Sequence, residues 1–314
     1  MNTDQYLQKI LEGQRLADDS TELNELRQHR DDVEALLRAA FGTTPTFRYG
    51  GSKAKGTLIR EYYDLDLAFY CPHDNACAGE TLKDIYGSVK KTLEKSYFVA
   101  PKRTALRLKS KDPNEFGRDF HIDVVPGRFV DDSESDCFLH QENCDKERLK
   151  TNLDVHIAHV RTSEVVPAIC LLKLWKVRRG LRVKQFVFEL LIIKILKDKK
   201  KESLSSQLEA VWETLRDTAD PISVEDPANP TGNDLTSRAA EMWAELSQAA
   251  TTTLEIIKRS GWEAVFGAVQ TDEEEGEEEK GHRSGPAIII PGPPPGRPRR
   301  DRDDRPPQPD RRHG

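Results

Sequence analysis

The stretch Tyr49–Tyr70 reads "YGGSKAKGTLIREYYDLDLAFY". Its last seven residues set Asp64 and Asp66 one residue apart at the head of an apolar run. Buried carboxylates are costly unless something positive sits against them. On a strand the side chains alternate, so both acids share one face while Leu65 and Leu67 enter the core on the other. Two carboxylates about 7 Å apart on a rigid element can share divalent cations. A later strand-like run, "FHIDVV" at 120–125, offers Asp123. Paired beside the first strand, it brings a third acid to the group. Three acids around two magnesium ions form a centre for in-line displacement at phosphorus. Magnesium takes oxygen ligands, commonly one or two carboxylates together with phosphate oxygens.

The "GGS" at 50–52 then gains a role. Glycines let the backbone approach a polyanion closely, and exposed amides cradle phosphate. Ser52 opens a short helical run, "SKAKG", and a helix start with a free hydroxyl suits a terminal triphosphate. Alone, "GGS" reads as a plain turn and "DLD" as a solvated strand edge. Together, in this order and followed by a strand-borne Asp, they point to a nucleoside triphosphate as ligand.

Bulk properties bound the rest. The chain has 314 residues, 36% of them hydrophobic and 32% charged, which suits a folded core under a charged surface. It contains no run of eighteen apolar residues, so no membrane span is expected. The first twenty residues lack a basic start followed by an apolar stretch, so no signal peptide is expected and the protein reads as cytoplasmic. Five cysteines, an odd number, fit reduced thiols. "CFLHQENC" sets Cys137, His140 and Cys144 close together, but no second Cys pair has zinc-finger spacing. The formal net charge of −6 is not that of a constitutive nucleic-acid binder.

Three segments follow from pattern and composition. Residues 1–145 combine an amphipathic helix over 20–41, strand-like runs at 46–50, 64–70, 103–109 and 120–125, and a helix over 79–97. That is a small sheet flanked by helices, an α+β or α/β pattern. Residues 146–270 read as a helical lobe, interrupted by "VRRGLRVK" and "PISVEDPANPTGND". Residues 271–314 hold an acidic run, then a Pro- and Arg-rich stretch with nine of the eighteen prolines. This tail reads as disordered, with "AIII" at 287–290 as a candidate docking strip.

The 49–70 stretch resembles the signature of the polymerase β-type nucleotidyltransferases. Three further stretches narrow the resemblance. "AICLLKLWKVRRG" is similar to the lysine-bearing helix of the oligoadenylate synthetase and cyclic GMP-AMP synthase branch. "KQFVFELL" is similar to that branch's Gln-aromatic-x-x-Glu-Leu segment. "EDPANPTGND" resembles a segment of oligoadenylate synthetases and class I CCA-adding enzymes. Across about residues 45–265 the chain looks most like the bacterial CD-NTases, the signal synthases of CBASS antiphage systems.

The resemblance implies an α+β, polymerase β-like core with a long N-terminal helix and a C-terminal helical lobe. It implies a magnesium-dependent enzyme, with manganese as an alternative ion. A ribose hydroxyl would attack an α-phosphate, pyrophosphate would leave, and a cyclic oligonucleotide would form from NTPs, ATP among them. It assigns Gly51 and Ser52 to the donor triphosphate, and Asp64, Asp66 and Asp123 to the metals. It also implies that Asp123 assists deprotonation of the attacking hydroxyl. It assigns Lys173 to the triphosphate and Gln185 to the acceptor nucleotide. Many CD-NTases carry serine where this chain has Gln185, so base choice does not transfer. Tyr62 and Tyr63 read equally as base-stacking or core residues. Glu189 reads as a buried structural acid, His121 as packing behind Asp123, and Asp226–Asn233 as a turn.

NTPs are the expected partners, together with CBASS accessory proteins acting on the tail, where terminal Gly314 suits covalent attachment. Neither a membrane nor a constitutive nucleic-acid partner is expected. Two other readings stand beside this one. The first is a linear 2′–5′ oligoadenylate or tRNA-end synthase. The second is an inactive nucleotide-binding scaffold, against which the presence of all three acids speaks.

Overall fold

The computed structural model describes residues 1–63, 65–111, 122–144 and 146–269. Asp64, His121 and the tail with its "AIII" strip and Gly314 lie outside the described residues. The architecture is α+β: a mixed sheet with helices packed on it and a helical lobe beside it.

The first two helices are α1 (Thr3–Gly13) and α2 (Thr21–Phe41). They are separate, because Ser20 starts a new helix by accepting from the Leu23 amide at 3.3 Å. Chain continuity does not keep them together. Leu7 and Ile10 of α1 join the helical core, whereas Val33 and Leu37 of α2 pack against the sheet.

The sheet strands are β1 (Thr46–Tyr49), β2 (Leu65–Cys71), β3 (Tyr97–Pro101), β4 (Leu106–Ser110), β5 (Ile122–Phe129), β6 (Cys137–His140) and β7 (Arg148–Thr151). The order is β1-β2-β5-β4-β3, with β6 and β7 extending from β5. Only the central β2–β5 pair is parallel among the described pairs. A short helix, α3 (Gly51–Lys55), links β1 to β2, and α4 (Leu82–Leu93) crosses the sheet before β3.

β2 shows the two-residue period plainly. Leu67, Phe69 and Cys71 pack with α2 and α4, including Ile85 and Val89. Ala68 and Tyr70 pack in a smaller cluster on the opposite face with Phe129 and Leu139. Asp66 belongs to this second face, at the end where the strand opens.

The helical lobe comprises α5 (Leu153–Arg161), α6 (Val166–Arg178), α7 (Gln185–Ile195), α8 (Leu204–Asp217), α9 (Thr236–Ser260) and α10 (Glu263–Phe266). Trp175, Phe188, Trp212 and Phe266 are buried in its centre. Tyr6 of α1 reaches the same lobe and donates to the Gly267 carbonyl at 2.6 Å. Among the described residues no single helix is long and apolar enough to cross a membrane.

Three strands depart from the sequence reading. Residues 97–101 form β3, which the sequence reading did not assign beyond ending a helix at Tyr97, because they pair along β4. β6 is a further strand, and "RLKT" at 148–151 pairs with it instead of opening a helix. The helix that follows begins only after Asn152, whose side chain accepts from the Val155 amide at 3.1 Å.

Candidate active site

The parallel β2–β5 register sets Asp66 directly beside Asp123. Both side chains therefore stand on one face of the sheet. At the end of β1 the Gly50 amide donates to the Asp66 carbonyl at 3.1 Å. The chain then turns into α3 through Gly51, whose φ is +73°. A Cβ on Gly51 would lie 2.1 Å from Asp66 Oδ2. Glycine is needed there twice over, for the left-handed backbone and for the contact.

Ser52 follows, 6% exposed. Its Oγ has no hydrogen-bond partner among the described residues. A buried hydroxyl without a partner is costly. Gly51, Asp66 and Asp123 are thus brought together, with Ser52 next in the chain. With Asp64 undescribed, no group of three metal-ligating side chains is found among the described residues.

Arg107, on β4, was not singled out by any sequence motif. It faces Asp123 across the antiparallel β4–β5 pair. Its Nε donates to Asp123 Oδ1 at 2.8 Å and its Nη2 to Oδ2 at 2.6 Å. The signal was present in "ALRLK", where Arg107 sits between two buried leucines, but its partner emerges only from strand register.

Lys173 and Gln185 lie in a polar network at the end of α3. The Lys173 ammonium is buried, 1% exposed, and donates to the Thr57 carbonyl at 3.3 Å. Gln185 accepts from Lys176 at 2.9 Å and donates to Glu189 at 3.3 Å. Glu189, 1% exposed, also accepts from Lys55 at 2.9 Å and from the Thr57 hydroxyl at 3.2 Å. The Lys173 and Lys176 ammonium groups each stand 5.3 Å from the Tyr62 ring centre. Tyr62 is packed against the helical core. The network ties α6 and α7 to the residues that follow Ser52.

Removing one partner of a buried ion pair strands the other charge. E189A is therefore expected to lower the unfolding free energy by about 3–5 kcal/mol. Urea denaturation checks this, and a loss within measurement error would show that the lysines find other partners.

The loop Asp226–Asn233 is held from inside. Asp226 is buried and lies 2.6 Å from His156 Nε2, and it accepts from Asn233 Nδ2 at 2.7 Å and the Ala228 amide at 2.9 Å. Burial pushes its carboxyl up, but the His156 contact and the donors from Asn233 and Ala228 outweigh that and hold it below the usual range. The sequence reading of this segment as a turn did not reveal that it anchors α5 through His156. In the 137–144 segment, Cys137 points into the small core with Tyr70, and His140 Nε2 lies 2.9 Å from Glu142. All five cysteines are free thiols.

No protein-family model matches the chain, and no curated protein matches it by sequence. Solved structures do match. CdnC of E. coli MS115-1 with ATP aligns at TM-score 0.60 and 18% identity, covering 85% of this chain and 99% of CdnC. CdnC is also solved in complex with HORMA-deltaN, with the same score and identity. CdnG of Bradyrhizobium diazoefficiens, a CD-NTase in complex with GTP, aligns at TM-score 0.61 and 12% identity over 83% of this chain and 94% of its own. The Vibrio cholerae cyclic AMP-GMP synthase DncV, with a nonhydrolyzable GTP, aligns at 0.56 and 16% over 86% of both chains. These likenesses show that the chain has the nucleotidyltransferase fold of the bacterial CD-NTases.

Proposed function

We propose that the chain is a nucleotidyltransferase that joins NTPs, ATP among them, into a cyclic oligonucleotide signal, in CBASS antiphage defence. The observation that carries this reading is the unpartnered, buried Ser52 hydroxyl beside a glycine pressed against Asp66. A terminal phosphate supplies the acceptor that hydroxyl lacks. Asp66 and Asp123, matched across β2 and β5, fit magnesium by donor type, with Asp64 as the third ligand of the sequence reading. Magnesium bound there would orient the triphosphate and offset charge developing at the α-phosphate.

The chain's own groups supply the rest. Gly51 and Ser52 grip the donor triphosphate, while Lys173, buried and bonded to the Thr57 carbonyl, supports from α6 the segment that follows Ser52 rather than touching the nucleotide. Gln185 faces the acceptor nucleotide. Asp123, through the ion it would hold, assists deprotonation of the attacking ribose hydroxyl. One pyrophosphate leaves for each bond formed, and the last attack closes the ring.

S52A separates binding from folding. The hydroxyl gives the fold nothing it does not lose by burial, so stability should hold or rise slightly. A hydrogen bond to a charged group is worth about 1.5–3 kcal/mol, so NTP binding should weaken roughly 10- to 100-fold. Unchanged nucleotide affinity in S52A would remove Ser52 from the triphosphate site.

The function itself is tested with labelled NTPs and magnesium, followed by phosphatase. A phosphatase-resistant product is expected. A ladder with phosphatase-sensitive ends would instead indicate a linear oligonucleotide synthase. No consumption of any NTP, with or without phage extract, would indicate an inactive scaffold. Partners acting on the tail are tested by mass spectrometry of the protein purified from its native cells. Conjugates on the tail are expected, and only unmodified chains would refute them.

A further inference from the structure

Arg107, Asp123 and Asp66 stand in one row across three adjacent strands, β4, β5 and β2. Directly opposed residues project to the same face, so all three meet in the candidate site. The Arg107 guanidinium grips Asp123 with a two-pronged fork, at 2.8 and 2.6 Å. Both carboxylate oxygens are engaged, the same two atoms with which Asp123 would hold a divalent ion. The pair is partly desolvated, Arg107 at 31% and Asp123 at 15% side-chain exposure, so water screens it incompletely. Arginine stays charged throughout the working pH range, so titration does not release the fork.

We propose that Arg107 is a positioning residue that acts as the internal counter-ion of Asp123 and sets the threshold for divalent-cation entry. This rests on the reading of Asp66 and Asp123 as metal-holding carboxylates. A guanidinium and a divalent cation on one carboxylate repel each other, and the fork competes for the same oxygens. Metal affinity without nucleotide is therefore held down. The negative charge of a triphosphate offsets that repulsion, so the ion enters with the nucleotide rather than ahead of it. The device keeps two strand carboxylates from assembling a loaded metal site when no substrate is present.

The test is Mn2+ binding to the full-length chain, read by electron paramagnetic resonance, with and without a nonhydrolysable ATP analogue. Wild type should bind Mn2+ weakly alone and much more tightly with the analogue. R107M should bind Mn2+ without nucleotide about tenfold or more tighter than wild type, the size by which one adjoining cation moves a carboxylate's proton affinity. The dependence on the analogue should shrink accordingly. Adding D123N to R107M should abolish the gain. Unchanged or weaker Mn2+ binding in R107M would overturn the proposal and leave Arg107 a structural clamp, and so would a gain that survives D123N. If R107M fails to fold, R107K carries the test. It keeps the charge but not the fork, so affinity should rise by a smaller factor, and no rise would overturn the proposal. Failure of wild type and variants alike to bind Mn2+ even with the analogue is a distinct result, and it would bring down the metal reading along with the threshold.

Discussion

D66A is expected to lower NTP turnover by at least about 10³-fold while leaving the fold intact. A metal-holding carboxylate supports several kcal/mol of transition-state stabilisation, and each 1.4 kcal/mol is a factor of ten in rate. Asp66 lies at the opening of β2 and outside the three buried clusters, so its loss leaves no cavity in them. Steady-state pyrophosphate release and a thermal melt read the two halves of the prediction. A wild-type rate in D66A would remove Asp66 from the chemistry, and a collapsed melt would make it structural. D123A is the less clean variant, because it also takes away the carboxylate that Arg107 grips.

G51A should show the other large effect, through backbone geometry rather than charge. An alanine at φ +73° costs about 1–2 kcal/mol in strain. Its Cβ would also meet Asp66 Oδ2 at 2.1 Å and Cγ at 3.0 Å, so the carboxylate must turn away. Displacing a catalytic group by about an ångström costs on the order of 100-fold in rate. G51A should therefore lose both stability and turnover. Gly42 provides the control. Its φ is +77°, but nothing lies within 4 Å of a Cβ there. G42A should lose stability of similar size and keep its turnover per folded molecule. Equal losses of turnover in the two variants would mean that the contact with Asp66 does not matter.

Much of this architecture was legible in the chain because short-range pattern and chemistry agree. The alternation in "LDLAFYC" gives β2 its two faces, and "GGS" marks the turn that α3 makes over Asp66. "DV" within an apolar run marked β5, and the parallel register, which the sequence left open, sets Asp123 beside Asp66. What escaped needed long-range information. "RLKT" is made mostly of good helix formers, and only pairing with β6 makes it a strand. "YFVAP" directly follows α4 with just a short turn, and its identity comes from β4. Arg107 looked like one more basic residue until β4 set it opposite Asp123. The buried lysine and glutamate side chains around Thr57 were read one at a time. Their joint network depends on α3, α6 and α7 meeting, which no local pattern encodes.

The central claim is that Ser52 and the carboxylates of Asp66 and Asp123 surround one bound nucleotide and its ions. The most direct measurement is anomalous diffraction from a crystal grown with Mn2+ and a nonhydrolysable ATP analogue. The account predicts anomalous peaks in ligand contact with Asp66 and Asp123, and a terminal phosphate oxygen accepting from Ser52 Oγ. A nucleotide seated away from Ser52, or manganese bound only elsewhere, would contradict it.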